Sequence, residues 1–129
     1  MKRAMILFVS CLLVVGVCAQ TQEKLNSSAK VDYAKADAEL NAVYRRILQD
    51  YKNDTIFIRN TKDAQRQWLK FRDAQLKMKY SSCDNASVLP MCWFYYLKEL
   101  TQVRTKELSL WLEGVEEGDT CSGTIRIKE

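Results

Sequence analysis

The sequence predicts an all-α fold: a small, single-domain antiparallel bundle of three long amphipathic helices. Three observations carry that expectation. Apolar residues recur at three- and four-residue steps through three long segments, the spacing of a helix that buries one face. Short stretches of turn and cap residues join the segments, which makes successive helices antiparallel neighbours. Glycine and proline are scarce, four and one among 129 residues, so little interrupts helix propagation.

The first helix is expected from about Ala29, after a polar, frayed stretch over residues 20–28 in which Ser27 and Ser28 are good N-caps. Its apolar stripe is Tyr33, Ala36, Leu40, Val43, Tyr44, Ile47, Leu48 and Tyr51. Asp37 and Asn41 lie one turn apart beside that stripe, and Asn41 is expected to bond a neighbouring helix. Residues 52–55, KNDT, break the pattern, and Asp54 or Asn53 is placed to cap a second helix over residues 55–79. Its central stretch, KDAQRQWLKFRDA at residues 62–74, sets Ala64, Trp68, Phe71 and then Met78 on one stripe, expected to be buried. Gln65, Arg72 and Gln75 sit among them. An arginine that close to a buried face needs a partner, because an unpaired buried charge is very costly.

Residues 80–90, YSSCDNASVLP, form the longest connection, with Ser81, Ser82, Asp84, Asn85 and Ser87 as turn formers. Ser87 is expected to cap a third helix from near Val88, with Pro90 tolerated in its first turn. The third stripe is Trp93, Tyr96, Leu97, Leu100, Val103, Leu108, Trp111 and Leu112, with Arg104 beside it, and the helix should end near Gly114. Four consecutive aromatics at residues 93–96 cannot all face inward. One or two are left exposed as a candidate partner surface, or are covered by the loop before them. Glu113, Glu116, Glu117 and Asp119 make an acidic exit, read either as a partner contact or as a solvated helix end. The tail over residues 121–129 reads as an extended piece or as disordered.

Lys2 and Arg3 precede an almost wholly apolar run over residues 4–18, and residues 17–19 offer a signal-peptidase site. Residues 1–19 therefore read as a signal peptide and residues 20–129 as the exported domain, in the periplasm or outside the cell. The apolar run is shorter than the roughly 20 residues of a spanning helix. Lipidation of Cys18 is a second reading, disfavoured by the bulk of Val17. Without the leader, 18 basic residues face 16 acidic ones, a net charge of +2 in place of +4. So small a balance gives no support to nucleic-acid or membrane-surface binding.

Export leaves three cysteines. Cys83 and Cys92 flank one short connection and are the expected disulfide, in a compartment where disulfides persist. A bridge from Cys121 to either is the alternative. The chain has no histidine, which removes Ser-His-Asp and Cys-His nucleophiles. With no histidine and no Cys-x-x-Cys, a metal site is not expected. No glycine-rich phosphate loop or dinucleotide fingerprint is present, so no cofactor is expected. Asp37, Glu39, Asp73 and Glu99 read as helix-surface charges rather than as a glycosidase pair. The expectation is a binding protein, not an enzyme.

Three short motifs occur in order behind the leader. They are DAELNAVY at residues 37–44, QRQWLKFRD at residues 65–73 and LTQVRTKEL at residues 100–108. In their order and spacing they resemble the LprI-like lysozyme-inhibitor family, over about residues 34–112. The resemblance implies a small exported bacterial helical domain with a protein partner, lysozyme being the candidate, and with no cofactor or catalytic residues. The motif residues Asp37, Asn41, Gln65, Arg72 and Arg104 lie beside apolar stripes on three different helices. They are expected to form an interior or half-buried polar network that sets helix register, with Asp37 or Glu107 as counter-charge. The sequence departs from the family where its members usually carry two cysteines, in the neighbourhoods of Leu76 and Tyr96. The functional expectation is inhibition of a lysozyme-type muramidase by occlusion. The alternative is a cell-envelope interaction module with another partner and no effect on lysozyme.

Overall fold

The computed structural model describes residues 2–83 and 87–128, with side chains from Gln20 onward. Cys18 with the other leader side chains, and Asp84 and Asn85 of the expected turn, lie outside the described residues. Three helices make the fold: α1 (Lys2–Asp50), α2 (Thr55–Lys79) and α3 (Leu89–Glu113). The described residues hold no strand, only an isolated bridge between Val115 and Ile127. The architecture is a small all-α bundle.

Its closest pair is not a pair of sequence neighbours. α1 and α3 pack tightly along their length, while α2 stands further from both. Cross-links at Asp32 to Lys98, Tyr33 to Phe94 and Tyr51 to Trp111 show that α1 and α3 run parallel. α2 runs antiparallel to them, as short connections require. The reason for the tight pair lies in side-chain size. On α1 the buried line is Ala29, Ala36, Leu40, Ile47 and Tyr51, at steps of seven and four. Two alanines on that line, and the fully buried Thr101 on α3, are small side chains that let the two helices approach closely. Leu108 continues the α3 side two turns on, and Leu40, Ile47, Tyr51 and Leu108 make the core cluster.

α2 meets this pair with an unexpected face. Phe71 and Met78, expected inside, are 55% and 68% exposed, and Ala64 is exposed as well. Gln65 is buried in their place, and Trp68 and Arg72 are half-buried. One residue of phase, about 100° on the helix, separates the two lines. The apolar lines of α1 and α3 are already spent on each other. The surface left for α2 carries Tyr33, Asp37, Arg104 and Glu107, which satisfies polar groups better than it buries a phenylalanine.

The helix ends show how the three are tied. Asp54 caps α2, its carboxylate accepting the Phe57 amide hydrogen at 2.8 Å. α3 starts differently from expectation. Its N-cap is Val88, without a side-chain cap bond, and Ser87 does not cap it. Asn26 of α1 supplies the acceptor from across the bundle: its Oδ1 takes the Met91 amide hydrogen at 3.2 Å, and its Nδ2 donates to the Ser87 carbonyl at 3.1 Å. α1 therefore continues unbroken through residues 20–28, where the sequence suggested fraying. At the other end Tyr51 is a keystone. Its ring packs on Phe57 at 4.6 Å, its hydroxyl donates to the Trp111 carbonyl at 3.0 Å, and Arg126 lies over it at 4.4 Å. Arg126 also bonds the Asp50 carbonyl.

Arg126 belongs to the tail, which folds back rather than trailing. The Val115 amide donates to the Arg126 carbonyl and the Lys128 amide to the Val115 carbonyl, both at 2.8 Å. The return needs Gly114, whose φ is +78° and where a Cβ would stand 2.9 Å from the Arg126 carbonyl oxygen.

The cap in trans generates the first expected outcome. Asn26→Ala should destabilise the protein by about 1 kcal/mol in urea unfolding, the usual worth of a cap. Ser87→Ala should change it little, and equal effects of the two would contradict this assignment.

Candidate functional site

Two of the five motif residues, Arg72 and Arg104, lie over the Trp68 ring, and the other three reach it through them. Arg72 of α2 stacks its guanidinium over the Trp68 ring at 5.5 Å, and Arg104 of α3 lies over the same ring at 5.9 Å. Arg72 also lies 5.9 Å from the Tyr33 ring of α1. Its Nε and Nη2 donate to Asp73 Oδ1 at 3.0 and 2.9 Å, and its Nη1 stands 3.7 Å from Asp37 Oδ1. Nη1 is buried and makes no hydrogen bond, so the Asp37 carboxylate is its charge partner. Arg104 donates from Nε to the buried Gln65 Oε1 and from Nη1 to Glu107 Oε2, each at 3.2 Å. Residues of all three helices are thus joined around one indole.

The electrostatics suit a buried clasp. The Arg72 side chain is only 12% exposed and Arg104 17%, while Asp73 and Glu107 remain 59% and 56% exposed. Each cation is desolvated mainly on the side facing the ring, and each carboxylate keeps much of its water. Burial pushes the Tyr33 phenol above its ordinary value, against the opposing pull of Arg72. Asn41 does not bond a neighbouring helix as expected. Its Nδ2 donates to Asp37 of the preceding turn, at 2.8 Å to the carbonyl and 3.0 Å to Oδ2, which orients the carboxylate that meets Arg72. Sequence reasoning missed Asp73, which reads as a solvent charge, and missed Trp68 as the shared ring. The signal for the latter is in the spacing, since Arg72 follows Trp68 by one turn.

The expected disulfide is not formed: Cys83, Cys92 and Cys121 are free thiols. Cys83 sits exposed in the turn after α2, whereas Cys92 is half-buried in the opening turns of α3. Tyr80 links the two regions. Its carbonyl accepts the Cys83 amide hydrogen, and its hydroxyl donates to the Cys92 carbonyl, both at 3.2 Å. Lys79 lies over the Tyr96 ring at 3.8 Å, and Tyr80 meets that ring edge-on at 6.3 Å. Hydrogen bonds and ring contacts thus hold this end of the bundle in place of a bridge. Among the described residues, no group of histidine, cysteine or carboxylate side chains is arranged to hold a metal ion.

Two surfaces remain for a partner. At the start of α3, Trp93 and Tyr95 are 39% and 44% exposed, beside the exposed Val88. Phe94 stacks on Tyr33 and Tyr96 is half-buried, so alternate members of the aromatic run face out. At the other end, the acidic exit is less acidic than its sequence. Lys128 donates to Glu116 at 2.9 Å and holds its carboxyl below the usual range. Asp119 accepts the Cys121 amide hydrogen at 2.9 Å. Glu113 and Glu117 are exposed and make no ion pair among the described residues.

The clasp predicts an asymmetric response to substitution on α2. Arg72→Ala should lower stability by about 2–3 kcal/mol, because it removes a stacked cation and leaves Asp37 without its charge partner. Phe71→Ala, one residue earlier, should cost under about 1 kcal/mol. Urea denaturation of the two variants checks this, and a larger loss at Phe71 would contradict it.

Comparison with known proteins gives consistent results. The family described as Lysozyme inhibitor LprI matches residues 17–108. An uncharacterised protein of Rhizobium meliloti (strain 1021) is 34% identical, with 76% of this chain and 78% of the relative covered. No solved structure matches. The three motifs that meet at Trp68 all lie within the matched region, and the chain belongs to the LprI lysozyme-inhibitor family.

Proposed function

We propose that the chain is an exported binding protein that inhibits a lysozyme-type muramidase by covering its substrate cleft. Membership of the family described as Lysozyme inhibitor LprI is the observation that carries this reading. Export rests on Lys2 and Arg3, the apolar run over residues 4–18 and the cleavage site after it. No helix among the described residues is long and apolar enough to cross a membrane.

The structure offers two candidate contact surfaces, and one partner cleft cannot engage both. They lie towards opposite ends of α3, about 30 Å apart from Trp93 to Glu113 at 1.5 Å per residue. Trp93 and Tyr95 stand about 200° apart around α3, so one partner face takes one of them. The Trp93 side, beside Leu76 and Tyr80 of the α2 end, is the better contact. Tryptophan and tyrosine supply large area at low entropy cost and dominate interface energetics. The acidic exit is the weaker choice, because Lys128 offsets Glu116. Glu113 and Glu117 would then act at longer range, speeding encounter with a basic lysozyme rather than holding it.

Purified protein at micromolar excess should slow at least one lysozyme type acting on bacterial cell walls. The Trp93→Ala variant should raise the inhibition constant about tenfold, equivalent to about 1.4 kcal/mol, with an unchanged helical spectrum. No slowing across several lysozyme types would contradict inhibition. It would favour the second reading, an envelope module that offers the same surface to another protein.

A further inference from the structure

Where the end of α1 turns into α2, an open cavity of about 290 Å³ is lined by Lys52, Thr55, Ile58, Arg59, Lys62 and Arg66. Four of these six residues are cations. Arg66 is paired with Asp63, while Lys52, Arg59 and Lys62 make no ion pair among the described residues. Arg59, Lys62 and Arg66 follow one another at steps of three and four, so like charges stack along one face of α2 and repel. The local field adds to that repulsion. The cavity includes Thr55, the first residue of α2, where the helix dipole is positive, and the first turn carries no acidic residue. Asp54, the N-cap of α2, keeps its negative charge while accepting the Phe57 amide hydrogen, and Asp63 pairs with Arg66. Four cations thus stand against two carboxylates, and the excess there is positive.

A bundle that gathers uncompensated positive charge in a concavity has a site that an anion would relieve. We propose that this cavity binds a compact polyanion of the diphosphate class. Guanidinium groups match phosphate oxygens with paired donors, and lysines add point charge. The volume falls near the lower bound for small-ligand sites, which suits two adjacent phosphate groups rather than a long polymer. Half-buried Ile58 gives the cavity an apolar patch, and Thr55 adds a hydroxyl, while the Phe57 and Ile58 amide hydrogens are already taken by Asp54. The site lies apart from Trp93 and Tyr95 and does not depend on lysozyme inhibition.

The test is thermal melting and calorimetric titration of the purified protein with inorganic pyrophosphate, against sodium chloride of equal ionic strength. Pyrophosphate at about ten times its dissociation constant should raise Tm by about 4 °C, with saturable heat. The Arg59→Gln, Lys62→Gln variant should lose that rise and melt no lower than the parent without anion, since both side chains are exposed. Lys24→Gln with Lys106→Gln removes the same charge elsewhere on the exposed surface and should keep the rise. A rise of equal size in sodium chloride, or an unchanged rise in the Arg59, Lys62 variant, would overturn the site. Binding to vesicles rich in phosphatidic acid with no response to pyrophosphate would also overturn it, by pointing to a membrane surface instead.

Discussion

The attachment of α2 to the bundle centres on one indole that two guanidinium groups approach. Trp68 lies within 6 Å of both Arg72 and Arg104, and through them it reaches Asp37, Gln65, Glu107 and Tyr33. Each such contact is modest alone, about 1–2 kcal/mol when partly desolvated. Their value here lies in geometry, because the same ring receives one arginine from its own helix and one from α3. The clasp allows two buried cations in a small core without large loss, since each keeps a half-exposed carboxylate.

Around this clasp the bundle divides into a close pair and an attached third helix. α1 and α3 meet through alanine, threonine and leucine, and Tyr51 closes their far end by holding Phe57, Trp111 and Arg126 together. α2 touches the pair through longer side chains and leaves a cavity of about 160 Å³ beneath it, bordered by Ile47, Ala64, Arg104 and Trp111. Its outer face then exposes Phe71 and Met78. The polar attachment and the looser fit are two sides of one arrangement: a surface that satisfies arginines cannot also be packed like an aliphatic core.

Helix number and order, and the bounds of α2, were legible because periodicity and Asp54 act locally; the start of α1 and the cap of α3 were not. The network partners were legible through the three motifs, since Asp37 and Glu107 lie on the helix surfaces next to their arginines. The phase of α2 was not. Ala64, Phe71 and Met78 repeat at seven residues, and so do Gln65 and Arg72, one position later. Periodicity cannot choose between rival lines, and hydropathy chose the wrong one because the surface α2 faces is polar. Asn26 was equally hidden, since a cap supplied from α1 presupposes the parallel packing of α1 and α3. The cysteines misled for a related reason: closeness in sequence around a turn does not bring Cys83 against a residue inside a helix.

α2 is clasped onto the closely packed α1 and α3 pair, and native-state hydrogen exchange tests this most directly. Helices held by different interactions open at different free energies. Amides near the middle of α2, around Gln65 to Arg72, should exchange together through a partial opening. That opening should lie at lower free energy than the one exposing amides around Leu40 to Ile47 and Thr101 to Leu108. A single global opening shared by all three helices would contradict the account.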